Sequence, residues 1–535
     1  MKEQSTTKGF AILSAAGMIV KVLSLLYIPF LQHIITQEGY GIYGAANSVY
    51  VFIYVLTNSG IPIAISKLVS ELTAVKNYKD AIRSFKMARF ILLILGIVMS
   101  LFMIIFARPL SSAIKFKQSY LAILALAPAI LFTSIASAYR GYFQGWGNMA
   151  PTAISQVIEQ VINTIFTLAF AALLMRYGME AGCAGGTIGT SLGAFFSASY
   201  LIFFYEKNKR IRVPKGYGEV STKRYTSKQI LKKIIDYGLP ITICVGMTYA
   251  GNLIDVGNTK ARLIVGGIAE NEANILYGQL LKYQQLINVP IAIITSLATA
   301  ILPAISSAVA INDRKQIKNK VRYAFRLCFL IAIPSAFGLA ILSDPVYSLL
   351  KFGDGAYLMS TGAIVLVLMS VMQIQTAILQ SIGRLYTATV YSIIGIVFKI
   401  LVNYFLISVP EINIMGAIYG TIIGYTIPII LNHRTLRRTL GVKFKFLASS
   451  IKPILASVTM NITVFIAYGI LNSLLRIVSG NYLSNLVACI VSIIIGMYTY
   501  LLSLVVLGGI TRDDFNVIPS KIIRFIPKFI VNKLK

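Results

Sequence analysis

Asn77-Tyr-Lys-Asp-Ala-Ile-Arg leads into an apolar run at Phe90, and 235 residues later Asn312-Asp-Arg-Lys-Gln-Ile-Lys leads into another at Phe325. The correspondence continues downstream. Phe143-Gln-Gly-Trp-Gly-Asn-Met matches Leu379-Gln-Ser-Ile-Gly-Arg-Leu at an offset of 236, and Gly185-Gly-Thr-Ile-Gly matches Gly420-Thr-Ile-Ile-Gly at 235. Three matches at offsets of 235 or 236, each at the same place in a series of apolar runs, mark an internal duplication.

The runs themselves define the medium. Of the 535 residues 57% are hydrophobic and 13% charged, and mean hydropathy is +0.76. A soluble core cannot hide so much apolar surface, so lipid serves as solvent. Runs of about 20 residues without alternation are helices rather than barrel strands. The pattern predicts spans at 10–31, 45–66, 88–107, 119–138, 150–175, 182–204, 237–258, 275–306, 323–343, 360–382, 386–408, 414–432, 449–473 and 482–509. Pro290 and Pro303 suggest kinks or an earlier end in the eighth. Lys21 interrupts the first run and no small-residue cleavage site follows, so that run reads as a retained helix.

Net charge is +31, which in a soluble chain would suggest nucleic acid. Here the bases alternate with the spans. One set of alternate loops carries 38 Lys and Arg and the other 8. The asymmetry places both termini and the basic loops in the cytoplasm and requires an even number of helices, with no role for nucleic acid.

Each repeat holds six spans. An even number gives parallel repeats, so the expected fold is all-α and integral to the membrane, with about 14 transmembrane helices. Its parts are a first lobe over 1–206, a basic cytoplasmic linker at 207–233, a second lobe over 234–433, an added helix pair within 449–510, and a basic amphipathic tail at 511–535 lying on anionic lipid. Paired lobes with a cleft between them are a transporter design. Oligomeric state is not legible. The steps Gly185/Gly189/Gly193 and Gly416/Gly420/Gly424 read as close helix packing. Cys183, Cys244, Cys328 and Cys489 all lie in apolar runs without paired spacing, so neither disulfides nor a metal site is expected. No cofactor is implied. There is no GxxxxGK[ST] motif, and no acid–histidine constellation supports an enzyme.

Residues 139–160 read Tyr-Arg-Gly-Tyr-Phe-Gln-Gly-Trp-Gly-Asn-Met-Ala-Pro-Thr-Ala-Ile-Ser-Gln-Val-Ile-Glu-Gln. This resembles the loop and fifth helix of the SpoVB/YtgP group of bacterial polysaccharide-biosynthesis membrane proteins. That group belongs to the superfamily that also holds multidrug extruders and MurJ-type lipid II flippases. Glu38-Gly-Tyr-Gly-Ile-Tyr and Gly60-Ile-Pro-Ile-Ala-Ile-Ser fit the same pattern. The resemblance covers the whole chain. It implies an inverted-V pair of lobes in the bacterial cytoplasmic membrane and export of a polyprenyl-pyrophosphate-linked sugar, such as lipid II. Competing readings are a drug/cation antiporter of the same fold and a membrane polymerase or ligase of lipid-linked sugars.

Charges at membrane depth are costly and mark site candidates. Lys21 faces either the cleft or an ion pair with Glu159. The resemblance implies basic residues lining the cavity from the first, second and eighth helices. Lys21 matches the first and Lys282 the eighth, while the second helix offers no base before Lys67. Glu159 reads either as a protonation site or as hydrogen-bonded to Gln156, Gln160 or a neighbouring helix. Asp255 falls, by the repeat offset, opposite Val20, beside Lys21. Some MurJ-type proteins hold sodium between the seventh and eleventh helices. Here the eleventh supplies Lys399 and Asn403, so an Asp255–Lys399 pair is expected in place of the ion. Arg140 and Arg384 stand in short cytoplasmic loops, where orientation suffices to explain them and contact with pyrophosphate is the alternative. The repeat-related Gln144 and Gln380 could touch sugar hydroxyls. Energy would come from the membrane potential or an H+ or Na+ gradient, since no nucleotide motif exists.

Overall fold

The computed structural model describes residues 6–208, 224–310, 313–441, 446–478 and 480–509. The basic tail and the middle of the 207–233 linker lie outside these residues. Helices succeed one another as α1 (Thr6–Leu26), α2 (Ile28–Asn58), α3 (Ile61–Ala74), α4 (Tyr78–Ile105), α5 (Ala107–Ala113), α6 (Tyr120–Gly145), α7 (Ala150–Leu174), α8 (Met179–Lys207), α9 (Ser227–Val265), α10 (Glu270–Ala310), α11 (Arg314–Ile341) and α12 (Ser343–Leu349). Then come α13 (Ala356–Gly362), α14 (Ile364–Ser381), α15 (Leu385–Leu406), α16 (Met415–Leu440), α17 (Phe446–Val478) and α18 (Asn481–Val506). Among the described residues there is no strand.

Twelve stretches are long and apolar enough to cross a membrane, with α2 and α3 forming one of them. The other two expected spans are α1, whose apolar part is Ala15–Leu26, and α10, 41 residues long. The fourteen-helix reading therefore stands, with altered edges. The first helix stops at Leu26 rather than at 31, because Pro29 takes the first turn of α2, where its missing N–H costs nothing. Thr36 (φ 66°) breaks the helical path within α2. The second span is interrupted at Ser59–Gly60, with Pro62 opening α3. α10 runs on as one helix through Pro290 and Pro303.

Several helices open on side-chain caps. Asn77 caps α4 by accepting from the Asp80 N–H at 3.2 Å, and Asp313 caps α11 by accepting from the Gln316 N–H at 2.9 Å. Thr226 and Gln229 close a reciprocal capping box at the head of α9.

Packing divides the chain into two units. One comprises Met1–Leu281 with Ile396–Ala417, and the other Lys282–Gly395 with Ile418–Lys535. In the first, Leu68, Leu72, Phe85, Leu92, Tyr142 and Leu201 build a core that also takes in Ile230 and Ile234 from the start of α9. The glycine ladder of α8 is a packing device. A Cβ at Gly193 would lie 2.5 Å from the Glu159 carbonyl oxygen, and Gly185 and Gly189 abut the α7 backbone in the same way. In the second unit, α10, α11, α14 and α16 share the core of Ile305, Phe325, Phe329, Ile374 and Leu436, and α17 and α18 pack on α11 and α12 through Met460, Val464 and Tyr500. All four cysteines are free and buried.

Candidate functional site

The first constellation grows from the face of α7. Ser155, Glu159, Asn163 and Thr167 recur every four residues and so form one polar stripe along the helix. Arg140 projects onto it from α6. Its Nη2 donates to Glu159 Oε2 at 2.6 Å and to Ser197 Oγ of α8 at 2.8 Å, and its Nε donates to Ser155 Oγ at 3.1 Å. The side chains are 11% and 27% exposed, respectively. Tyr50 and Tyr54 of α2, with ring centroids 5.9 Å apart, share this neighbourhood. Further along the stripe, Asn163 Oδ1 accepts from Thr167 and from Thr190. The structure thus corrects the placement of Arg140. It is a helical residue with an acid partner rather than a loop base, because α6 continues to Gly145. Glu159 is held by Arg140, not by Lys21, Gln156 or Gln160.

The second constellation joins α9 to α15. Lys399 Nζ lies 2.9 Å from Asp255 Oδ2, and Asn403 Nδ2 donates to Asp255 Oδ1 at 2.6 Å. Both carboxylate oxygens are therefore engaged by protein donors. Asn403 is fully buried, and its Oδ1 has no partner among the described residues. Beyond it, Asn258 Nδ2 reaches the Ile400 carbonyl at 3.1 Å, fastening the same two helices.

The remaining expected residues are scattered. Lys21 is exposed on α1, beside Met18 and Val22. Lys282 is fully buried, with its Nζ donating to the Phe352 carbonyl at 2.6 Å, and in this conformation it offers nothing to a ligand. Gln144 is half-buried at the end of α6, while Gln380 and Arg384 are exposed around the turn from α14 to α15.

Sequence reasoning passed over one cluster. Asn274 Nδ2 donates to Glu38 Oε1 at 3.2 Å and to Gln118 Oε1 at 3.1 Å. Nearby, the buried Lys260 Nζ sits 3.0 Å from Glu270 Oε1 and 4.2 Å from the centroid of the Phe116 ring. Lys260 and Glu38 fall outside the spans predicted from hydropathy. The signal that could have raised them is Lys260 five residues inside the end of a continuous helix. Among the described residues no three His, Cys, Asp or Glu side chains are grouped to hold a metal ion.

Comparison with known proteins now bears on these sites. Residues 6–309 match the model of a family described as polysaccharide biosynthesis protein. The chain belongs to the polysaccharide biosynthesis protein family. Membership bears out the resemblance carried by residues 139–160. Among relatives, Stage V sporulation protein B of Bacillus subtilis is 27% identical over 452 residues, covering 83% of this chain and 86% of its own. Lipid II flippase MurJ of Bacillus subtilis is 23% identical over 515 residues, covering 92% and 94%. A solved inward-facing multidrug resistance MATE family transporter of the MOP superfamily superimposes with a TM-score of 0.63 at 17% identity, covering 79% of this chain and 98% of that one. That likeness shows the fold of this family member: a multi-pass helical membrane protein.

Proposed function

We propose that the chain is a secondary transporter that flips a polyprenyl-pyrophosphate-linked sugar across the bacterial cytoplasmic membrane. The sugar would be lipid II or a related precursor for wall, spore-cortex or polysaccharide synthesis. The observation that carries this reading is how charge is distributed at membrane depth. Glu159 and Asp255 are the only acids inside the fourteen expected spans, and each already holds a base, Arg140 and Lys399. Lys21 stays exposed. A carrier of cationic drugs needs open carboxylates, whereas a pyrophosphate head group needs open cations. The antiporter reading therefore loses its ligands. A lysine at such depth is tolerated only where it meets water or a partner, so Lys21 is assigned to a wet wall that holds the pyrophosphate. Arg384, with Gln380 and Gln144 as sugar-hydroxyl contacts, would serve the cytoplasmic mouth.

The family relatives support a flippase over an enzyme, and the reading requires no cofactor. The six-plus-six-plus-two organisation, cytoplasmic termini and driving by the membrane potential belong to the same proposal. Moving one charge through the field is worth about 2.3 kcal/mol per 100 mV. Lys399 fills the place at Asp255 that a monovalent cation would take, which favours a sodium-independent cycle.

The test is reconstitution of the purified chain in vesicles carrying a fluorescent undecaprenyl-pyrophosphate sugar, without nucleotide. Movement of label between leaflets that rises with imposed potential is expected. Movement only on adding ATP, or export of cationic dyes with none of the lipid, would overturn the assignment.

A further inference from the structure

The Arg140–Glu159 pair is closed at 2.6 Å but incompletely matched. A guanidinium carries five N–H groups in a planar fork, and its tightest pairing with a carboxylate is two-armed. Here the contact is one-armed. Nη2 meets Glu159 Oε2 and Ser197, and Nε meets Ser155. Among the described residues the two N–H groups of Nη1 meet no protein acceptor, and Glu159 Oε1 accepts from no protein donor. The serines cannot drift, because Gly193 presses α8 against the Glu159 carbonyl and fixes the spacing of α7 and α8. The arginine is thus nearly buried and aimed by two hydroxyls, yet half of its fork is uncommitted. Its acid partner is the more exposed member, at 27% against 11%.

We propose that Arg140 is an exchangeable docking site for a diphosphate group, with Glu159 as the internal anion that the ligand displaces and that later drives its release. The inference rests on the reading of the chain as a carrier of pyrophosphate-linked lipids. A diphosphate arriving from the side of Glu159 takes the open Nη1 edge first, then the Nη2 position that the carboxylate vacates, which completes the two-armed contact. Ser155 and Ser197 keep the guanidinium in place during the exchange. Return of Glu159 restores a neutral pair, so binding is firm enough to admit the ligand and weak enough to let it go. Without the acid, the arginine would be an uncompensated charge that held any anion too long.

The test uses the purified full chain with two probes, inorganic pyrophosphate and farnesyl pyrophosphate, their affinities measured by calorimetry. Glu159→Gln should tighten binding by about tenfold, since it removes the competing anion. The neutral pair Arg140→Gln/Glu159→Gln should fold and bind at least about tenfold more weakly than the natural chain. Tightening of both probes assigns the site to the diphosphate itself, and tightening of the lipid probe alone assigns it to the lipid-linked form. If Glu159→Gln fails to fold, the double variant against the natural chain decides. Unchanged affinity in Glu159→Gln, or natural affinity in the double variant, overturns the proposal. The functional reading fails separately. If the natural chain moves the lipid-linked sugar in vesicles and the double variant moves it at the same rate, only the docking site falls. If the natural chain moves none, the carrier reading falls and takes this site with it.

Discussion

Lys21 and Lys282 look alike in the sequence and unlike in the structure. Each interrupts an apolar run, and the resemblance implies a cavity-lining place for each. Lys282 is sealed: the turn between α12 and α13 brings the Phe352 carbonyl to within 2.6 Å of its ammonium. That turn is shaped by Lys351, Gly353 and Gly355 at φ 50°, 70° and 112°. Lys21 has no such cover. The difference teaches that a lysine at membrane depth is a site only when the protein leaves it unsatisfied. A backbone carbonyl is enough to turn the same residue into a packing element.

The contrast can be broken most severely at Lys21. Lys21→Glu should abolish transport at undiminished expression, because it repels the phosphates, and a vesicle assay reads the loss. Next comes the sealed lysine. Lys282→Ala empties a buried site and strands the Phe352 carbonyl, at a cost of about 1–3 kcal/mol, seen as a lowered melting temperature with little effect on head-group affinity. Asp255→Asn leaves the partly buried Lys399 without its counter-charge and should cost up to about 3 kcal/mol. Denaturant titration in detergent compares it with Asp255→Asn/Lys399→Met, which should recover most of the loss. The smallest effect belongs to the exposed pair Lys67–Glu71, 4.0 Å apart and 55% and 42% exposed. Lys67→Ala there should change stability by less than about 1 kcal/mol. A replacement of Na+ by K+ that left transport unchanged would sharpen the view of Lys399 as the built-in cation.

The helices and the repeat were legible because lipid punishes any unpaired backbone, so spans must be written as apolar runs and loops as alternating charge. The breaks at Tyr27, Thr36 and Ser59 were less legible, since each follows from local turn geometry that hydropathy does not resolve. Among the site residues, Asp255 and Lys399 lie together as the sequence led one to expect, and Asn403, one turn from Lys399 on the same face of α15, joins them. Arg140 misled. Seven residues of extra helix, from 138 to Gly145, turned a loop base into the partner of Glu159, a boundary error small for pattern reading but large for chemistry. The burial of Lys282 was invisible for a different reason: it depends on a carbonyl seventy residues away, and backbone acceptors leave no trace in composition.

The account turns on Lys21 as the open cation that carries the head group, and Lys21→Ala beside Lys21→Arg tests it most directly. Both would be reconstituted at equal density in vesicles holding the labelled undecaprenyl-pyrophosphate sugar, with movement between leaflets timed under an imposed potential. The account predicts that the alanine variant folds, inserts and moves no lipid, while the arginine variant retains part of the natural rate. An alanine variant that moved the lipid at the natural rate would contradict it.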